Sequence, residues 1–89
     1  MANSFFARLE TSACIVDFEA VLPDGHRYRC SESGSPNFRL ERVHGGYFLE
    51  ARMGTHVGSL MVEVEDDSGR SWSIGPLRPR ESDRGFTLR

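Results

Sequence analysis

The sequence contains no lysine and no glutamine, so apart from histidine all of its cationic side chains are arginines, eleven in number. Thirteen acidic residues outnumber them and give a formal net charge of −2. An acidic balance argues against a chain built chiefly to bind nucleic acid. We attribute the arginine bias to a GC-rich bacterial or phage genome. The alternative is a need for arginine's planar fork at carboxylates or phosphates.

Long apolar runs are also absent. The longest stretch near the start, Ala13 to Leu22, is interrupted by Asp17 and Glu19 and has no basic segment before it. We therefore expect no signal peptide, and no membrane span, which needs about eighteen or more apolar residues. These absences predict a cytoplasmic protein.

Cysteine is scarce, and the two residues present do not predict a disulfide. On the predicted hairpin, Cys14 and Cys30 lie about 13 Å apart at 3.3 Å per strand residue, too far to be joined. Both fall at inward-facing positions of their strands. The sequence therefore predicts two buried free thiols, as is usual in the cytoplasm.

Signatures of catalysis, metal binding and phosphate binding are missing as well, so we predict no catalytic residue, no metal and no cofactor. The alternative is a small enzyme or metal site at one rim of the sheet. If the strands form a simple meander, all three hairpin tips meet there, with His56 at the opposite end. That rim would contain His26, His44, Asp24, Asp66 and Asp67.

Turn signals are the most informative feature present. Pro23-Asp24-Gly25, Gly45-Gly46 and Asp67-Ser68-Gly69 each separate two runs of alternating apolar and polar residues. Proline presets φ for the first turn position, and glycine accepts a positive φ at no steric cost. The sequence therefore predicts three antiparallel hairpins.

The first and third hairpins have registers in which apolar side chains face apolar ones. The predicted facing pairs are Leu22–His26, Ala20–Tyr28, Glu19–Arg29, Phe18–Cys30, Asp66–Arg70, Val64–Trp72 and Val62–Ile74. In the middle hairpin, a two-residue Gly45-Gly46 turn predicts the pairs Leu40–Ala51, Phe38–Met53, Glu41–Glu50, Arg39–Arg52 and Val43–Phe48. This second set places like charges opposite each other, which is unfavourable.

The overall pattern predicts one domain over residues 1–89, a small antiparallel β-sandwich or barrel of seven or eight short strands. The predicted strands are Ser4–Glu10, Ala13–Leu22, His26–Ser31, Phe38–His44, Tyr47–Met53, Ser59–Asp66, Arg70–Gly75 and Phe86–Arg89. The predicted loops include Glu32–Asn37. For residues 4–20 a helix capped by Ser4 is the alternative.

Strand parity divides the side chains into a core and an outer surface. The predicted core comprises Val16, Phe18, Ala20, Leu22, Tyr28, Cys30, Phe38, Leu40, Leu49, Ala51, Leu60, Val62, Val64, Trp72 and Ile74. Three apolar residues, Val43, Phe48 and Met61, have outward parity, which they share with Ile15 and Val21. We predict that these three bind a protein partner or a second copy of the chain. The alternative is that another segment of the chain covers them.

A basic segment near the C-terminus provides a secondary candidate site. Arg78, Arg80 and Arg84 belong to the region 70–89, whose five arginines and two acids give a net charge of +3. Such an arm could contact phosphates, which makes nucleic-acid binding the alternative function. The simpler explanation is that its arginines pair with the acidic run Glu63–Asp67.

The sequence thus predicts a non-enzymatic protein–protein interaction module. Small cytoplasmic proteins of this kind include inhibitors, immunity proteins and accessory subunits of bacteria and phages, among them anti-restriction and anti-CRISPR proteins. The predicted contact residues are Val43, Phe48 and Met61, with Arg78, Arg80 and Arg84 as the secondary site.

Overall fold

A computed structural model describes residues 2–32 and 37–89, so positions 33–36 of the predicted loop Glu32–Asn37 lie outside the described residues. All eight predicted strands are confirmed to within two residues at each end. They are β1 (Ala2–Glu10), β2 (Ile15–Val21), β3 (Arg27–Arg29), β4 (Phe38–Val43), β5 (Gly46–Gly54), β6 (Leu60–Asp66), β7 (Ser71–Leu77) and β8 (Gly85–Thr87). The helix considered for residues 4–20 is wrong. The described ranges contain no helix long and apolar enough to cross a membrane.

The strands form two four-stranded sheets that pack face to face over a common core. The front sheet has the order β4-β5-β1-β8, and the back sheet has the order β3-β2-β6-β7. Neither sheet closes on itself, so the all-β prediction is confirmed as a sandwich rather than a barrel. The arrangement is not wholly antiparallel, because β8 pairs with β1 in parallel.

Two of the three hairpins adopt the predicted registers, including the pairs Glu19–Arg29 and Val64–Trp72. Gly25 and Gly69 have φ values of +95° and +89°, which explains why glycine ends each turn. In the third hairpin the Asp66 carboxylate accepts hydrogen bonds from the backbone N–H groups of Ser68 and Arg70, at 3.0 and 2.9 Å. Asp66 is therefore a turn anchor and not a free rim carboxylate.

The register predicted for the middle hairpin is wrong by two residues. The turn consists of His44 and Gly45, and only Gly45 has a positive φ, at +81°. Gly46 is instead the first residue of β5 and lies opposite Val43. The observed register places Arg39 opposite Glu50, so the predicted like-charge pairs do not form.

The close approach of β1 explains why Gly46 belongs to the strand. A Cβ added at Gly46 would lie 1.7 Å from the carbonyl oxygen of Leu9. No side chain fits at that distance, so the position requires glycine for space and not for turn conformation. The sequence pattern does not distinguish these two uses of glycine.

A β-bulge near the start of β2 changes which of its side chains are buried. The pairing of β2 with β6 shifts between Ile15 and Asp17, so one additional residue, Val16, is accommodated there. Ile15 is buried and Val16 is 51% exposed, opposite to the prediction for both. The same change of parity leaves Cys14 exposed, which corrects its predicted burial.

The remaining predicted core positions are confirmed as buried or half-buried, apart from Tyr28. Tyr28 faces the space between the sheets, but it is 46% exposed because β3 is a short edge strand. The core also contains residues that were not predicted to belong to it: Phe5, Ala7 and Leu9 of β1, together with Val57, Leu77 and Leu88. The two sheets are linked by the backbone N–H of Ile15, which donates to the Tyr47 hydroxyl at 3.2 Å.

Replacing Gly46 with alanine should strongly destabilise the fold, by about 3 kcal/mol or more, because backbone must move to admit the methyl group. Gly85→Ala is the matched control, since a Cβ there meets nothing within 4 Å. The measurement is urea unfolding of both variants. A Gly46→Ala protein as stable as the Gly85→Ala protein would contradict the close contact between β1 and β5.

Candidate functional site

The outer surface of the front sheet carries two of the three predicted apolar contact residues, Val43 and Phe48, and is named the front face. It comprises Phe6, Arg8 and Glu10 of β1, Arg39, Glu41 and Val43 of β4, and Phe48, Glu50 and Arg52 of β5. These side chains alternate along each strand with core residues, so they point away from the back sheet.

Two phenylalanines form the centre of the front face. Phe6 and Phe48 stack with their ring centroids 5.8 Å apart and their planes inclined by 27°. Phe48 lies between Arg8 and Glu41 in the register of the sheet, and Phe6 lies beside Glu50. Both rings are half-buried. The pair is therefore an apolar centre surrounded by charged side chains.

The charges around the phenylalanine pair are balanced. The three arginines Arg8, Arg39 and Arg52 are matched by the three glutamates Glu10, Glu41 and Glu50. The Arg39 guanidinium lies 3.6 Å from the Glu50 carboxylate and 3.8 Å from that of Glu41. Both ion pairs lie at the protein surface, where such pairs have low individual energy. The front face as a whole presents both signs of charge close together.

The three predicted apolar contact residues do not form one cluster. Val43 is 37% exposed on the front face, but it lies opposite Gly46 and not opposite Phe48. Met61 belongs to β6 and lies on the outer surface of the back sheet beside Val21. The first strand contributes to covering Phe48, because Phe6 stacks on it. A site on the front face therefore includes Val43 and Phe48 but excludes Met61.

The contribution of β1 to this surface was not predicted from the sequence. The alternation of Phe5, Ala7 and Leu9 already indicates that Phe6 and Arg8 point the other way. Their proximity to Phe48 depends on the pairing of β1 with β5, which no local turn specifies.

The outer surface of the back sheet is occupied by ion pairs. Arg27 contacts Glu19 and, at 3.0 Å, Glu63. Arg29 lies 3.3 Å from Asp17 and 3.4 Å from Glu19. Hydrogen bonds to these carboxylates raise the pKa of both arginines above its usual value. Arg27 and Arg29 are therefore already paired with carboxylates of the same surface.

The arginine arm consists of Arg78, Arg80 and Arg84. The simpler interpretation predicted that its arginines pair with the acidic run Glu63–Asp67, and this prediction is wrong for Arg84. Arg84 instead donates to the Pro76 carbonyl oxygen at 3.1 Å, lies 3.8 Å from Glu81 and stacks over the Phe86 ring. Arg80 is exposed, with a φ of +68°, and its backbone N–H donates to Ser4 at 2.8 Å. Arg84 is thus a structural contact of the arm.

The predicted rim of histidines and carboxylates does not form. Because β2 and β6 are antiparallel neighbours, the turns that follow them lie at opposite ends of the back sheet. His26 pairs with Asp24 at 2.9 Å, at the same end as His56, whereas His44 lies at the other end beside Glu10. Within residues 2–32 and 37–89, no three potential ligands come together to hold a metal ion.

A pocket of about 340 Å³ opens between the edge strands β3 and β4. Leu22, Tyr28, Phe38, Met53 and Val57 form its apolar wall. Arg52, Asn37 and His56 supply polar groups, and Arg52 connects the pocket to the front face. A pocket of this size and lining is able to accept a small apolar group or side chain.

The Asp17 carboxylate is the most completely bonded acid on the back sheet. It is 8% exposed, and it accepts hydrogen bonds from the Ser31 hydroxyl at 2.6 Å, the Ser31 N–H at 3.1 Å and the Phe18 N–H at 2.9 Å. Burial alone would raise its pKa, but these bonds and the Arg29 guanidinium lower it below the usual value. Burial and the Asp17 charge raise the pKa of the nearby Cys30 thiol. Asp17 is therefore a charged structural group.

Comparison of the chain with protein-family models, with curated proteins and with solved structures gave no match. A functional assignment therefore depends on the geometry of the surfaces described above.

Asp17→Asn should destabilise the protein by about 1–3 kcal/mol at neutral pH, because donors that face the carboxylate lose an acceptor. The pKa of Asp17 in the folded protein lies below its value of about 3.9 in the unfolded chain. The charged carboxylate therefore contributes its full stabilisation of the fold when the pH is above the unfolded pKa. It is lost as the pH falls through the folded pKa. Urea unfolding at neutral and acidic pH measures this difference.

The control for this prediction is Glu65→Gln, which alters a more exposed carboxylate opposite Asp17. We expect the gap in stability between wild type and Asp17→Asn to shrink in acid. A gap that stays constant from neutral pH to well below the folded pKa would contradict the charged state assigned to Asp17.

Proposed function

We propose that the protein is a non-enzymatic protein–protein interaction module and that the front face is its docking surface. The observation that supports this proposal most strongly is the stacked pair of Phe6 and Phe48 at the centre of a ring of charged side chains. Protein interfaces commonly combine aromatic anchors at the centre with a polar rim that excludes water.

The charge pattern favours a protein partner over a nucleic acid. Glu10, Glu41 and Glu50 lie among the arginines of the front face and would repel a phosphate backbone. A protein surface with interleaved charges could match both signs. The partner is therefore expected to present an apolar group to Phe48 and charges of both signs around it.

The arginine arm ranks below the front face as a docking surface. Arg84 already contacts Pro76, Glu81 and Phe86, so Arg78 and Arg80 are the arm residues that remain available for a partner. Two exposed arginines on an acidic protein would provide little affinity for nucleic acid. We propose no catalysis, because the histidines are divided between the two ends of the sandwich.

The biological class that we propose is a cytoplasmic inhibitor, immunity protein or accessory subunit of bacterial or phage origin. The small size of the protein and the lack of a disulfide between Cys14 and Cys30 support this proposal. Proteins of this class act by occupying a surface of another protein, and the outer face of a sheet is suited to such contacts.

The proposal predicts that Phe48→Asp abolishes partner binding without unfolding the protein. A charged side chain at the centre of an interface should weaken binding roughly tenfold or more. The measurement compares the proteins retained from an extract of the source organism by immobilised wild type and by the variant. Circular dichroism of the same samples verifies folding.

Val16→Asp is the matched control, because it makes the same chemical change at an apolar residue on the back sheet that is 51% exposed. If Phe48→Asp is poorly folded, Arg8→Glu alters the same surface at an exposed position. We expect Val16→Asp to retain the partner that Phe48→Asp loses. Equal retention by wild type, Phe48→Asp and Arg8→Glu would show that the front face is not the docking surface.

A further inference from the structure

Among the described residues, strand β4 is the sheet edge best suited to pairing with another strand. It ends the front sheet and contains six residues with neither proline nor glycine. The other edge strands are less suited to pairing: β3 and β8 have three residues each, and β7 contains Gly75 and Pro76. Short length and proline are common protections of sheet edges, and β4 has neither.

The backbone of β4 has hydrogen-bonding groups available along its outer side. The Arg52 N–H donates to the Asn37 carbonyl oxygen at 2.8 Å. Because such bonds alternate along an antiparallel pair, the odd-numbered residues of β4 bond to β5. The N–H and C=O groups of Phe38, Leu40 and Arg42 therefore point away from the sheet.

The side chains of β4 place opposite charges on either side of Leu40. Arg39 and Glu41 both lie on the front face, with the guanidinium 3.8 Å from the carboxylate. Charged side chains usually protect an edge against pairing. On β4, however, the positive Arg39 and the negative Glu41 lie one residue to either side of Leu40. A second copy of the strand, rotated by 180° about Leu40, would therefore place its Glu41 opposite Arg39 and its Arg39 opposite Glu41.

We propose that β4 pairs antiparallel with β4 of a second copy of this chain, across a two-fold axis at Leu40. In this register Arg39 faces the second copy's Glu41, and Glu41 faces the second copy's Arg39. Leu40 faces its own equivalent on the core side, and Phe38 faces the second copy's Arg42. The two front sheets thereby become one continuous sheet.

Backbone hydrogen bonding and side-chain charge together favour this register over the registers with the axis at an adjacent residue. Hydrogen bonds form only where the even-numbered residues of one strand face those of the other. Moving the axis to Arg39 or to Glu41 satisfies this condition but places two arginines or two glutamates directly opposite each other, which is unfavourable. Only the axis at Leu40 combines backbone pairing with two reciprocal ion pairs.

The size of the contact predicts a weak dimer. Pairing along a six-residue strand buries less surface than a stable complex requires, so association should be reversible and dependent on concentration. Sedimentation equilibrium from low micromolar to near-millimolar concentration should show a monomer of 10.0 kDa that converts progressively to a dimer.

Charge reversal tests the register directly. Arg39→Glu and Glu41→Arg each replace two attractive pairs with two repulsive ones, so each variant alone should self-associate roughly tenfold or more weakly than wild type. When the two variants are mixed, every facing pair is attractive again. Native mass spectrometry of the mixture should therefore show the heterodimer in preference to either homodimer.

A proline substitution tests the edge without depending on charge. Arg42→Pro removes an N–H that points away from β5, so the variant should fold but lose the dimer. Glu41→Pro is the control, because it removes an N–H that bonds to β5 and should destabilise the fold itself. Thermal unfolding, monitored by circular dichroism, shows whether a variant has lost folding stability or only the ability to dimerise.

The dimer is separable from partner docking on the front face, since Phe48 lies on β5 and not at the edge. Phe48→Asp should therefore leave self-association unchanged. A wild-type chain that remains monomeric at near-millimolar concentration would overturn the proposal. So would a dimer that persists in Arg39→Glu, Glu41→Arg and Arg42→Pro, or a mixture of the two charge variants that forms no heterodimer.

Discussion

The antiparallel pairing of β1 with β5 organises the front sheet and, through it, one half of the core. It runs over nine facing residue pairs, from Ala2–Gly54 to Glu10–Gly46. The pairing places β1 inside the front sheet, with Phe5 and Leu9 in the core and their neighbours outside. It also requires Gly46, because no side chain fits against the Leu9 carbonyl.

Both proposed interactions follow from this position of β1. Since β1 pairs with one side of β5, β4 pairs with the other side and forms the edge of the sheet, and no described strand pairs with its outer side. The same pairing places Phe6 beside Phe48, which creates the aromatic centre of the front face. A docking surface and a pairing edge therefore meet on the same four-stranded sheet.

Local signals in the sequence predicted the strands and two hairpin registers, because turn residues and alternating polarity act over a few positions. The prediction failed where one residue type has more than one structural use, and where the contacts are between residues distant in sequence. Gly46 resembles a turn residue but is needed for space in the strand. Val16 follows the alternation but occupies a bulge. Of the candidate site, Val43 and Phe48 were predicted, whereas Phe6 was missed because its neighbours come from a non-local pairing.

Hydrogen exchange of the β4 amides, monitored by NMR at low and high protein concentration, distinguishes an open edge strand from one that pairs with a second copy. With β1 inside the sheet and β4 at its edge, the Arg39 and Glu41 amides should be protected at both concentrations. The Leu40 and Arg42 amides should exchange rapidly in dilute solution and become protected as the concentration rises. Protection of the Leu40 amide at every dilution would contradict the open edge, and rapid exchange at every concentration would contradict its pairing.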